Sequence, residues 1–400
     1  MKIGIIRERK NPPDFRVPLI PDHCAEVLTK YNNLQICVEP SPTRSYSDQE
    51  YNSVDIHLAE SLNDCDVLMG VKEVPPNMLI PNKTYLFFSH TIKKQPANKL
   101  LLQEVIRKKI RLIDYECLKD EHGQRLIGFG RFAGIVGAYN AIRGWGLRTE
   151  NYQLPPAHTC YDKNDLFSHF QNKNFGNTRI LLTGGGKVGN GALETLHAAG
   201  FTQMDWKSFI TEKNTAGPVF TQIEFPVYNK RKDGKAFTSD EFFSNPGDFE
   251  SDFVRFMPYA DIYIAGHFWS AGSPHFFTSD DLASPHNRIK LIADISCDIG
   301  GPIPSTIRSS TIASPFYGYN PHSQQESSPF DLTSITVMAV DNLPCELPRD
   351  ASADFSQTLS STIIPLIIQN PNHPILAKAT IAENGKLTSY FRYLSDYISE

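Results

Sequence analysis

"NTRILLTGGGKVGNGALETLHAAGF", residues 177–201, decides the fold. "RILLT" is an unbroken apolar run of strand length. The segment after the glycines places Ala192, Leu196 and Ala199 on one helical face, and Gly200 is a stop signal. Between them, Gly184, Gly186 and Gly189 fit the spacing G-x-G-x-x-G in the order strand, turn, helix. Gly184 permits the tight turn, Gly186 lets the backbone approach a pyrophosphate, and Gly189 allows the helix to pack closely on the strand. The first helical N–H groups then face an anion with the positive end of the helix dipole. Gly185, Lys187 and Val188 complete the loop as cofactor-contact candidates. The glycines alone would also fit a plain βα turn; the flanking strand and helix favour dinucleotide binding. "YADIYIAG" (259–266) and "IKLIADIS" (289–296) read as further buried strands of the same sheet.

A dinucleotide site asks for an acid about 20 residues after the loop. "FTQMDWK" (201–207) offers Asp205, which favours NAD, and Lys207, which suits a 2′-phosphate; NAD and NADP both stay open.

The first third alternates strands and helices. "KIGIIRE" (2–8), "LQICVEP" (34–40), "DCDVLMGVKEVPP" (64–76), "KTYLFFSH" (83–90) and "IRLIDYE" (110–116) read as strands. "PDHCAEVLTKYN" (21–32), with an Asp cap signal, and "NKLLLQEVIRKKI" (98–110) read as helices. That alternation implies a mainly parallel sheet. Lys72, His90 and Glu116 each follow a strand segment. In a parallel α/β sheet ligands collect at the carboxyl ends of strands, so these three groups are expected to converge. Close Lys, His and Glu side chains shift one another's pKa values and can move protons without a metal. Arg7, Arg16 and Lys93 add cations that suit a multiply anionic substrate. "FGRFAGIVGAYNAIRGWG" (129–146) reads as a tightly packed helix leaving this domain; residues 150–177 show no clear period.

At 400 residues the chain is long enough for two domains, and its 40% hydrophobic and 21% charged content suits a soluble globular protein. A net charge of −5 gives no basic footprint for nucleic acid. The 7 cysteines form no C-x-x-C pair, so no metal site is expected; reduced thiols in a cytoplasm suit them better. The amino terminus lacks a secretory apolar region, and no run is long enough to span a bilayer. Oligomeric state is not legible.

Four stretches carry a resemblance: "VKEVPPNMLIPNKTYLFFSHTIKKQ" (71–95), "IRLIDYECLKDEHGQRLIGFGRFAGIVGAYNA" (110–141), "ADISCDIGGPIPSTIR" (293–308) and "AVDNLPCELPRDAS" (339–352). They resemble the lysine–ketoglutarate reductase domain of the aminoadipic semialdehyde synthases and the lysine-forming saccharopine dehydrogenases. Both belong to the alanine dehydrogenase and transhydrogenase superfamily. The resemblance spans residues 1 to about 145 and 255 to about 365. It implies an NAD- or NADP-dependent enzyme that interconverts saccharopine with lysine and 2-oxoglutarate, small amino-acid and 2-oxo-acid substrates. On the family pattern Lys72 and His90 are the acid–base residues, tuned by Glu73 and Glu116. Arg16, Lys93, Gln95 and Arg131 fall at substrate-contact positions. The chain carries no fused second enzyme, so onward channelling within one polypeptide is not expected. Another amino-acid or opine dehydrogenase, or a non-catalytic nucleotide-sensing relative, is the alternative.

The resemblance also implies the architecture: α/β, with two Rossmann-like parallel-sheet domains separated by a cleft. Residues 1–133 plus 331–400 would form the substrate domain and 134–330 the inserted dinucleotide domain.

Overall fold

In the computed structural model the described residues are 1–400 apart from positions 213, 271 and 400. Strands come first as β1 (Lys2–Ile5), β2 (Gln35–Val38), β3 (His57–Leu58), β4 (Val67–Met69), β5 (Thr84–Phe87) and β6 (Arg111–Asp114). Next are β7 (Arg179–Thr183), β8 (Thr202–Gln203), β9 (Val219–Ile223), β10 (Asn229–Arg231), β11 (Phe249–Ser251) and β12 (Ile262–Ala265). Then come β13 (Leu291–Asp294), β14 (Phe316–Asn320), β15 (Gln325–Ser327), β16 (Ile335–Met338), β17 (Thr380–Glu383) and β18 (Lys386–Leu387). The chain divides into a first unit, 1–129 with 348–400, and a second unit, 130–347.

The first unit is built on one sheet in the order β18-β17-β6-β5-β4-β1-β2-β3. Pairings from β3 to β6 are parallel, while β17 adds antiparallel to β6. Both faces are buried, as the apolar runs require. Ile3, Ile5, Val67, Met69, Leu86 and Ile113 pack in one cluster with Phe355, Leu359 and Ile363. Leu68, Tyr85, Phe87 and Leu112 pack in another with the helix Lys99–Arg107. The period-2 alternation along each strand sorts these residues onto opposite faces. The helix Pro21–Lys30 forms where expected, but Ile20 occupies its N-cap without a side-chain bond and Asp22 lies inside the first turn. Pro21 sets the start, because its missing N–H would be unpaired there anyway.

The second unit has its own sheet, ordered β15-β14-β16-β13-β12-β7-β9-β8. Strands β16 through β8 pair in parallel, with β14 and β15 antiparallel at one edge. This corrects the expected boundaries. "ITVM" at 335–338 is buried between β13 and β14, so the chain returns to the first unit at Pro348, not at 331. The first crossing lies before Gly130, where the helix Gly130–Thr149 begins. That helix touches the helix Lys187–Ala198 almost backbone to backbone. A Cβ on Gly134 would lie 1.9 Å from the Val188 carbonyl oxygen, and one on Gly191 1.9 Å from that of Arg131. Among the described residues no helix is long and apolar enough to cross a membrane.

Candidate active site

In the first unit the carboxyl ends of β4, β5 and β6 deliver Lys72, His90 and Glu116 through the loops that follow each strand. Aromatic packing fixes the β5 end. Phe88 lies 6.0 Å from Phe355 and 5.3 Å from Tyr115, and Phe129 stacks on Phe355 at 4.6 Å with an interplanar angle of 11°. Each such pair adds about 0.5–1.5 kcal/mol beyond its buried area. Phe355 comes from the returning helix Pro348–Thr358, so the carboxyl-terminal segment braces the strand that carries His90. His90 itself sits at φ 54°, a left-handed conformation that turns the chain directly after Ser89. Its ring stacks on Phe88 at 6.4 Å.

Two carboxylates absent from the sequence reading hold these loops. Asp114, fully buried at the end of β6, accepts from the Ser89 N–H at 2.9 Å and from the Glu116 N–H at 2.7 Å. It therefore ties the His90 loop to the Glu116 turn. Burial raises its pKa, against the opposing hydrogen bonds from Ser89 and the Glu116 N–H. Glu8, just after β1, accepts from the Val71 N–H at 2.6 Å and the Lys72 N–H at 2.9 Å. Burial and the nearby Asp14 charge push its carboxyl up to about 8 in spite of these bonds.

Lys72 and Glu73 are shifted in different ways. Burial depresses the Lys72 ammonium, and the charges of Arg16 and Lys10 depress it further; Asp14 and Glu73 oppose the shift. Burial alone would raise Glu73, but His90 and Lys10 outweigh it and hold the carboxylate down at about 2. Lys10 Nζ lies 2.6 Å from Glu73 Oε1. His90 Nδ1 lies 3.6 Å from Oε2, too far for a hydrogen bond. Glu116 Oε1 faces Arg125 at 2.9 Å and Lys93 at 3.7 Å. The first unit thus sets His90 against Glu73, keeps Lys72 beside Glu73 in the chain, and ties the Glu116 turn to the His90 loop through Asp114.

The expected substrate contacts divide. Arg16 is buried, with Nε and Nη2 engaged by Asp14 at 2.9 and 2.6 Å and its guanidinium 4.1 Å over Phe129. Burial pushes Asp14 up, and the Arg16 charge overrides it to about 2. Lys93 and Gln95 lie exposed on the turn after His90. Arg131 belongs to the second unit, where it makes a two-pronged pair with Glu194 at 2.5 and 2.9 Å. That pair ties the start of the helix Gly130–Thr149 to the helix Lys187–Ala198.

In the second unit β7 ends in Thr183, and Gly184 turns the chain at φ 101°. A Cβ there would lie 2.4 Å from the Gly266 carbonyl oxygen. Gly186 is the N-cap of the helix Lys187–Ala198 and has no side-chain bond; a Cβ on it would meet nothing within 4 Å. The loop opens onto a cavity of about 440 Å³, lined by Gly184–Val188 together with Glu224, Phe225, His267 and Phe268. Asp205 is not among these. It caps the helix Trp206–Thr211, accepting from the N–H groups of Lys207 at 3.0 Å and Ser208 at 3.1 Å. The cause is topological: Asp205 follows the short edge strand β8, whereas the neighbour of β7 is β9, and the residue after β9 is Glu224. A Cβ on Gly185 would lie 2.3 Å from Glu224 Oε1, so that glycine keeps room beside the acid.

His267 is the other residue missed. Its Nδ1 lies 3.0 Å from Thr183 Oγ1, while its buried Nε2 has no hydrogen-bond partner. Burial drives its pKa down to about 3, so the ring is neutral. An uncapped helix N-terminus and a glycine cradle on one cavity fit a dinucleotide.

Residues 4–136 match the family described as Alanine dehydrogenase/PNT, N-terminal domain. The chain is 28% identical, over 98% of its length, to "Alpha-aminoadipic semialdehyde synthase" of Arabidopsis thaliana, but covers only 41% of that protein. It thus spans less than half of that longer relative. It is 24% identical to "Saccharopine dehydrogenase [NAD(+), L-lysine-forming]" of Emericella nidulans, covering 90% of this chain and 91% of that one. Among solved structures an L-alanine dehydrogenase superposes with a TM-score of 0.68 at 15% identity, covering 99% of this chain and 100% of that chain, a likeness of fold.

Proposed function

We propose that the chain, similar over most of its length to saccharopine dehydrogenases and aminoadipic semialdehyde synthases, is a nicotinamide-dependent oxidoreductase acting on the C–N bond of a secondary amine. The substrate pair is saccharopine on one side, and lysine with 2-oxoglutarate on the other. The observation that carries this reading is the set formed by Lys72, Glu73 and His90: a depressed lysine, a carboxylate held ionised, and an imidazole 3.6 Å from it.

Opening a secondary amine to an amine and a ketone moves protons at nitrogen and then at the oxygen that water brings. Lys72, with its lowered pKa, reaches the neutral amine at lower pH than an exposed lysine does, and so serves as base toward the substrate nitrogen. His90 handles the proton on the carbinol oxygen as the C–N bond breaks. Glu73 stays ionised, anchoring Lys10 and facing His90. Lys93 and Gln95, exposed on the same turn, meet the substrate carboxylates.

Bound at the glycine loop, the nicotinamide dinucleotide supplies the hydride acceptor, or the donor in the reverse direction. The N–H groups at the start of the helix Lys187–Ala198 hold its pyrophosphate. Glu224 accepts from the ribose hydroxyls and disfavours a 2′-phosphate, which makes NAD the preferred cofactor. His267 lines the same cavity.

The test is to mix the protein with NADH or NADPH and follow the reduced-nicotinamide absorbance while lysine and 2-oxoglutarate are each omitted. Oxidation of NADH that needs both supports the reading. Oxidation with another amino or oxo acid alone, or none with cofactor binding intact, overturns it.

A further inference from the structure

The aperiodic stretch 150–177 holds a group that the catalytic account does not use. Cys160, Asp165 and His169 place a sulfur, a carboxylate oxygen and a ring nitrogen all within 4.8 Å of one another. We propose that these three residues form a site for a zinc-type divalent cation, with its fourth position open to solvent.

The donor set selects the metal class. A thiolate and an imidazole favour a borderline-soft cation over magnesium or calcium, and the carboxylate completes a common zinc combination. Zinc bonds of 2.0–2.3 Å at tetrahedral angles put neighbouring donors about 3.3–3.6 Å apart. Asp165 Oδ1 and His169 Nε2 already stand 3.6 Å apart, on successive turns at i and i+4. Closing the remaining donors needs movement of only about an ångström on the same scale.

The support around the donors is built. Asp165 Oδ2 accepts from the Tyr161 N–H at 2.8 Å, which fixes the carboxylate with its other oxygen toward His169. Asp162 caps the helix Lys163–Ser168 through the Asp165 N–H at 2.8 Å. Cys160 is 8% exposed, whereas the side chains of His169 and Asp165 are 38% and 42% exposed. The sulfur therefore comes from below and the other two donors from the surface, leaving an approach for the ion. Three protein ligands leave one coordination position for water, the pattern of an exchangeable site and not of a closed structural one. The spacing C-x4-D-x3-H has no C-x-x-C pair, which is why cysteine spacing gave no sign of it.

The experiment titrates the full-length protein, first stripped with chelator, with Co²⁺ alone and then with Zn²⁺. One equivalent of Co²⁺ is expected to give a near-ultraviolet thiolate charge-transfer band and visible bands of tetrahedral intensity, both bleached by Zn²⁺. Cys160→Ser is expected to abolish the charge-transfer band, and His169→Gln to weaken Co²⁺ binding at least tenfold while keeping the band at saturation. His169 lies at the surface, so its variant reports even where Cys160→Ser fails to fold. Absence of the band in folded wild-type protein, its persistence in Cys160→Ser, or unchanged affinity in His169→Gln overturns the proposal.

Discussion

Glu8 grips the backbone beneath Lys72: its two carboxyl oxygens accept the Lys72 N–H at 2.9 Å and the Val71 N–H at 2.6 Å. The acid after β1 thereby sets where the loop after β4 presents its lysine. Glu8→Gln keeps one acceptor but turns an amide donor toward the other N–H, so one buried N–H is left unsatisfied. The expected cost is about 1–3 kcal/mol of first-unit stability. Turnover falls while dinucleotide affinity holds, because the glycine loop is on another unit. Steady-state kinetics beside fluorescence titration of NADH checks both; a parallel loss of cofactor affinity speaks against the assignment.

Lys72→Met removes the proposed base without adding bulk or charge. Loss of general base catalysis lowers kcat by about 10²–10⁴. In the oxidative direction the wild-type rate is expected to fall as pH drops through the lowered pKa of Lys72, since protonation removes the base. The methionine variant should lose that acidic limb. A pH–rate profile in which the limb survives in Lys72→Met assigns the limb to another group.

On the proposed reading, Glu224 beside the glycine loop, and not Asp205, takes the ribose. Glu224→Ala is expected to weaken NADH binding about tenfold, the loss of roughly one charged hydrogen bond, and to narrow the preference over NADPH. Asp205→Ala removes only the cap of the helix Trp206–Thr211 and should leave both affinities unchanged. Isothermal titration of each variant with NADH and NADPH decides between them.

Glu346 gives the second unit a pH dependence of its own. It is buried, accepts from Asn140 Nδ2 at 2.8 Å, and is pushed by burial up to about 7. A carboxyl whose folded pKa is raised binds its proton more tightly in the folded state. Stability therefore falls as pH rises from the unfolded value toward 7, then levels off. Glu346→Gln keeps an acceptor for Asn140 without the charge. The variant should match wild type near pH 4 and exceed it by up to about 3 kcal/mol at pH 8. Calorimetric melts at the two pH values test this; an equal difference at both pH values contradicts it.

The legible part of the fold is the part fixed locally. Continuous apolar runs such as "RILLT" and "YLFF" announce buried parallel strands, and they form as read. The short edge strands β3, β8, β15 and β18, of two or three residues each, exist because a neighbour offers hydrogen bonds, and no local pattern marks them. The domain return was misplaced because "ITVM" is apolar enough for either sheet; only its pairing with β13 and β14 assigns it. At the candidate site, Lys72 and His90 stand out in the sequence as polar residues following apolar runs. Glu8 and Asp114 were not, because their work is to accept backbone N–H groups from loops distant in sequence. Glu224 escaped linear spacing because β8 and its helix come between β7 and its sheet neighbour β9, and Glu224 follows β9.

The most direct measurement of the central claim follows the hydride itself. Protein, lysine and 2-oxoglutarate are incubated with NADH carrying deuterium at the transferable C4 position, and the products are weighed by mass spectrometry. The account predicts one deuterium in a product joining both substrates through a secondary amine, with none in that product when Lys72→Met replaces the wild type over the same time. Deuterium in a simple amino or hydroxy acid instead, or NADH consumed without a joined product, would contradict it.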